Sequence, residues 1–157
     1  MVKPRFFDTY LETILKSPGA RIFQTFWADV DGKKEDLTEA GHRSCAVFVT
    51  GILQWFSLIR EGHATVSSTL KDMETSGWQK ITEPRPGCIL HWEPKEIDGS
   101  VNEHIGFYIG DDKAISNDYE TRAPAEHHWT YGKEDGQQSR KIVAMYWHPK
   151  LDNIYFP

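Results

Sequence analysis

Residues 103–117 read EHIGFYIGDDKAISN. Ile105, Phe107 and Ile109 alternate with His104, Gly106 and Tyr108, the two-residue period of a strand with one apolar face. Asp111-Asp112 supplies a turn, and KAISN at 113–117 returns as the partner strand. Strands joined by so short a turn pair antiparallel, so this stretch predicts an antiparallel sheet in the second half of the chain. Upstream, Pro86-Gly87 introduces a strand at 88–94 (CILHWEP), and Asp98-Gly99 turns the chain back. Downstream, 118–126 reads as a loop and 140–148 (RKIVAMYWH) as a final strand.

The first half reads as helical. Phe6, Phe7, Tyr10, Leu11, Ile14 and Leu15 recur at i, i+3/i+4 spacing over 6–16, and Ser17-Pro18-Gly19 ends that helix. Residues 20–28 are an apolar segment, helical or extended, and 31–36 a turn. The stretch 44–60, SCAVFVTGILQWFSLIR, is apolar nearly all round, as a central buried helix is. Its β-branched residues permit a strand, but its length favours a helix. Ser44 stands as N-cap, Cys45 as the first helical residue and Gly62 as C-cap. Residues 65–76 predict a shorter helix closed by Gly77. Helices followed by an antiparallel meander define an α+β class. One domain is expected over 1–157, with 1–40 a helical extension and 41–157 the core.

The 157 residues carry 18 Lys+Arg against 23 Asp+Glu, a net charge of −5, which argues against a sequence-independent nucleic-acid binder. Two cysteines, Cys45 and Cys88, make no disulfide framework, and without a CxxC pair no structural zinc site of the usual kind. No metal or cofactor is expected. The N-terminus has no uninterrupted apolar run, since Asp8 and Glu12 fall where one would lie. The apolar stretch 45–59 is shorter than the ~20 residues of a membrane span. The expectation is a soluble protein, cytoplasmic as synthesised, with no membrane insertion. The oligomeric state is left open.

Two side chains stand out chemically. A thiol at a helix N-terminus meets free amides and the positive end of the dipole, which stabilise a thiolate and can receive an oxyanion. Cys45 is placed there, with His42 and Arg43 adding positive potential. His104 opens a strand on the face opposite its apolar residues, where an imidazole can act as general base for a thiol. Gly106 on that face leaves room for a substrate backbone.

Three motifs then fall in order: Cys45-Ala46-Val47-Phe48-Val49, Pro86-Gly87-Cys88-Ile89-Leu90 and His104-Ile105-Gly106-Phe107-Tyr108-Ile109-Gly110. Together they resemble the NlpC-type peptidases and related cysteine/histidine-dependent amidohydrolases, over roughly residues 40–117. The chain departs from that pattern at Ser44 and Cys88, where such proteins carry Asp. The resemblance implies a papain-like core and hydrolysis of an amide or peptide bond, in bacterial cell-wall peptides. Release at lysis would reconcile such a substrate with the absent export signal. Cys45 would be the nucleophile and His104 the base. The third residue, which orients the imidazole, is placed at Asn117 because an amide carbonyl accepts the ring N–H well. Ser116 is the alternative, favoured by ungapped counting. His127 and His128 point to opposite faces of a strand, so they do not chelate one metal together. Either is a further candidate orienter. His128, Trp129 and Tyr108 are the expected substrate wall. The alternative function is a non-catalytic peptide- or glycan-binding module on the same fold, its groove formed by Trp129, Tyr108 and Trp92.

Overall fold

The computed structural model describes residues 1–157, the side chain of Glu134 excepted. In chain order the elements are α1 (Phe6–Leu15), β1 (Trp27–Val30), β2 (Lys33–Asp36), α2 (Cys45–Trp55), α3 (Val66–Ser76), β3 (Gln79–Ile81), β4 (Ile89–Ile97), β5 (Ser100–Gly110), β6 (Lys113–Asp118), β7 (Ala123–His128), β8 (Lys133–Glu134), β9 (Gln137–Gln138) and β10 (Ile142–Trp147). The fold is α+β. Among the described residues, no helix is long and apolar enough to cross a membrane.

α1 buries Phe6, Tyr10 and Ile14, one line at four-residue spacing, and the Tyr10 hydroxyl donates to the Gly87 carbonyl at 2.7 Å. Its side chains belong to the same core as those of the sheet. The first forty residues are not mainly helical. Residues 27–36 form a hairpin whose two turn residues, Asp31 and Gly32, both take positive φ (50° and 79°), as a primed two-residue turn requires. The turn expected over 31–36 is thus confined to its first two positions.

α2 is the buried centre. Ala46, Val47, Phe48, Val49, Thr50, Ile52 and Leu53 are all inside. Phe48 sits edge-on between Phe23 (centroids 5.1 Å) and Phe107 of β5 (5.4 Å), which clamps the helix to the sheet. Truncating a ring so enclosed costs about 3–5 kcal/mol. The helix ends well before Gly62, because Ser57 adopts φ 54° and the Leu58 amide returns to the Leu53 carbonyl. α3 is capped by the Thr65 side chain, which accepts from the Ser68 amide, and is closed by Gly77 at φ 99°.

The main sheet has the order β3-β10-β4-β5-β6-β7, antiparallel throughout. β4 to β7 form a meander, but β10 crosses back to lie between β3 and β4. The segment 118–126, expected as a loop, contains β7. Its Pro124 removes a donor, which the sheet tolerates because β7 is an edge strand. In register, Ile89, Phe107 and Ile115 share one face, which packs on α2 through Phe107. Trp92 and His104 share the opposite face.

Candidate functional site

Cys45 is delivered by the turn before α2. Asp36 accepts the amides of Phe26, Thr38 and Ala40, and Arg43 donates its amide to the Thr38 carbonyl. Gly41, at φ 97°, has its missing Cβ aimed 2.7 Å from the Arg122 carbonyl oxygen, so no other residue fits there. Ser44 occupies the N-cap position, but its hydroxyl donates to the Phe23 carbonyl instead of capping. Among the described residues, the first-turn amides of α2 are therefore not spent on a side-chain cap.

Cys45 and His104 line one cleft of about 640 Å³, within the size range of small-molecule and peptide sites. The thiol is not held as a thiolate, as its place at a helix start suggested. Burial pushes the Cys45 pKa up, and the opposing pull of the Ile105 and Ala46 amides and of the Arg140 charge does not cancel it. His104 is held well below the ordinary histidine range by burial first, then by Arg140 and His127. The resting pair is a neutral thiol and a neutral imidazole.

The partner of His104 is Ser116. The His104 Nε2 lies 2.9 Å from the Ser116 Oγ. Asn117 does not take that place: its Nδ2 donates to the Gly41 carbonyl at 2.8 Å, and among the described residues its buried Oδ1 has no partner. Strand alternation decides this, since neighbours on β6 point to opposite faces. Gly106 has a different purpose from the one expected. A Cβ there would meet the Ser116 Cβ at 2.7 Å, the Ile115 carbonyl at 2.8 Å and the Trp92 ring at 3.0 Å. The glycine makes room for the Ser116 and Trp92 side chains.

The Ser116 hydroxyl also lies 2.7 Å from the His127 Nε2 and 3.0 Å from the Tyr131 hydroxyl. With both imidazoles neutral, these contacts leave one self-consistent proton arrangement. The His127 Nδ1 is 2.8 Å from the His128 carbonyl, which only accepts, so that nitrogen carries the hydrogen. Burial holds His127 below the ordinary range, hence neutral, and its Nε2 must accept from the Ser116 O–H. The Ser116 oxygen then accepts from Tyr131 and from the His104 Nε2–H. The His104 Nδ1 is left bare, as a base requires.

The expected substrate wall does not coincide with this cleft. Among the described residues of the cleft, His128, Trp129 and Tyr108 are absent. Tyr108 is buried and packs against Trp129 (centroids 5.3 Å), while the His128 Nδ1 accepts from the Thr130 amide within a turn. Trp92, proposed for a groove, is fully buried. It lies beside the His104 ring at 5.0 Å and donates its Nε1–H to the Trp129 carbonyl. The cleft is walled instead by Arg43, Asn102, Tyr119, Tyr131 and Arg140. Tyr131 and Arg140 went unnoticed in the sequence, where no spacing marks them. Comparison with family models, with curated proteins and with solved structures found no match.

Proposed function

We propose that the chain is a papain-like cysteine hydrolase acting on an amide or peptide bond. The observation that carries the reading is the 2.9 Å bond from the His104 Nε2 to Ser116, which leaves a bare Nδ1 on a histidine sharing its cleft with Cys45. In the reaction, the Cys45 Sγ attacks the carbonyl carbon while its proton passes to the His104 Nδ1. Because both groups rest neutral, transfer accompanies attack and does not precede it. The uncapped amides at the head of α2 face the developing oxyanion. The imidazolium returns its proton to the leaving amine, and water, deprotonated by the same nitrogen, hydrolyses the thioester. Ser116, His127 and Tyr131 orient the imidazole throughout.

Cell-wall peptides are the proposed substrate class, on the strength of the three motifs around Cys45, Pro86 and His104. The test is incubation of the purified protein with muropeptides and with simple peptide amides, read by mass spectrometry. Product that vanishes in Cys45→Ala supports the proposal. Binding without product, unchanged by Cys45→Ala, would instead support the binding-module reading.

A further inference from the structure

Arg140 stands just before β10 and is only 7% exposed. Its Nε donates to the Glu93 carbonyl (2.9 Å) and its Nη2 to the Asn102 carbonyl (2.8 Å). Both partners are neutral carbonyls, and the Glu93 carboxylate, which accepts the Lys141 amide, acts on Arg140 only from beyond ion-pair distance. Among the described residues, no carboxylate stands within ion-pair distance of it, and its Nη1 has no partner. The cleft's own carboxylates point elsewhere: Glu103 faces His91 at 3.5 Å, and Asp118 accepts the Thr121 amide at 2.7 Å.

A buried cation without a counter-ion is costly, and neutral carbonyls compensate it only in part. The cost is offset when a ligand supplies the charge. Asn102 strengthens the case by joining two cations. Its side-chain oxygen accepts from the Arg43 Nη1 while its backbone oxygen accepts from Arg140. Among the described residues, the one ion pair of Arg43 is with Glu39, whose side chain is 58% exposed. In a chain of net charge −5, two guanidinium groups thus stand together on one wall of the cleft. A guanidinium with a free edge suits a planar carboxylate, which it can hold by two parallel hydrogen bonds.

We propose that Arg140 is the anion-recognition group of the cleft and selects an acyl donor bearing a carboxylate near the carbonyl that Cys45 attacks. The acyl-donor part rests on the hydrolase reading; the anion site does not.

Two alkylating reagents separate the claims. Iodoacetate and iodoacetamide both transfer their CH₂ carbon to a thiolate with loss of iodide, and they differ in carrying a carboxylate or a neutral amide. At Cys45 the iodoacetate-to-iodoacetamide rate ratio is expected to exceed that of free cysteine by about tenfold, worth about 1.4 kcal/mol. It should fall with added salt. Arg140→Gln should return it to the free-cysteine value. A ratio in the unmodified protein no higher than that of free cysteine overturns the proposal. That measurement stands even if Arg140→Gln fails to fold. In that case Arg140→Lys is the second variant: it keeps the charge but loses the fork, and should give an intermediate ratio. His104→Ala distinguishes the two readings. If it leaves both rates unchanged, the hydrolase reading fails and the ratio still reports the anion site. If it slows both while the ratio matches free cysteine, only the anion site fails.

Discussion

Ser116→Ala removes the hydroxyl on which the site's proton arrangement turns. Three bonds are lost, to the His104 Nε2 at 2.9 Å, the His127 Nε2 at 2.7 Å and the Tyr131 hydroxyl at 3.0 Å. They are not equal. Tyr131 is 39% exposed, so its hydroxyl turns to water, and His127 is half-buried. His104 is buried, and its ring N–H is left without an acceptor. An orphaned buried donor costs about 1–3 kcal/mol, so that range is the expected loss of stability by urea denaturation. The tautomer effect is separate. A net hydrogen bond of about 1 kcal/mol biases the His104 proton toward Nε2 by roughly fivefold, and the variant loses that bias. Nitrogen-15 NMR of the imidazoles reads it directly. The native protein should show His104 protonated at Nε2 and His127 at Nδ1, and Ser116→Ala should show a mixture at His104. A native His104 protonated at Nδ1, or a variant with unchanged tautomers, refutes the reasoning.

Gly106→Ala drives a methyl against the Ile115 carbonyl and the Ser116 Cβ, neither of which can swing away. It should cost about 1–3 kcal/mol in urea denaturation and displace Ser116, so the same mixed tautomer should appear at His104. Asn117→Ala loses the bond to the Gly41 carbonyl and loosens the turn that delivers Cys45. Thermal denaturation should show a loss of about 1 kcal/mol with the His104 tautomer intact, and a tautomer change there would reinstate Asn117 as the orienter. Acid should unfold the protein through two carboxylates. Burial raises Asp36, but hydrogen bonds from Phe26, Ala40 and Thr38 outweigh it and hold the group at about 2. Burial is likewise outweighed at Asp72 by His63, Ser76 and the amides of Arg60 and Glu61. Both folded-state values are depressed, so their stabilisation is present above the unfolded carboxylate range near 4 and is lost as pH falls below it. Denaturation midpoints against pH should drop over that window, and less steeply in Asp36→Asn.

Local periodicity foretold the elements with strong patterns. The helices begin where Phe6, Cys45 and Val66 open apolar or capped runs, and the 103–117 hairpin follows its alternation. Cys45 at the head of α2 and His104 on the face opposite Phe107 are direct consequences. The remainder depends on long-range pairing. β7 carries Pro124 and two histidines, and its strand character comes only from its neighbour β6. β10 lies beside β4 through a crossover that no local signal encodes. The choice between Ser116 and Asn117 was decided by alternation alone, against the better hydrogen-bonding chemistry of the amide. Arg140 and Tyr131 reach the site through the chain reversal at 131–140, so their roles follow from tertiary placement and not from spacing.

The central claim is that Cys45 and His104 act together. Burial raises the Cys88 thiol to about 11, and its side chain is fully enclosed, so it serves as an internal reference. The decisive measurement is the rate of iodoacetamide labelling at each cysteine near neutral pH, by peptide mass spectrometry, in the native protein and in His104→Ala. The prediction is that Cys45 reacts faster than Cys88 and slows when His104 is removed. Equal rates at the two thiols, indifferent to His104→Ala, would contradict it.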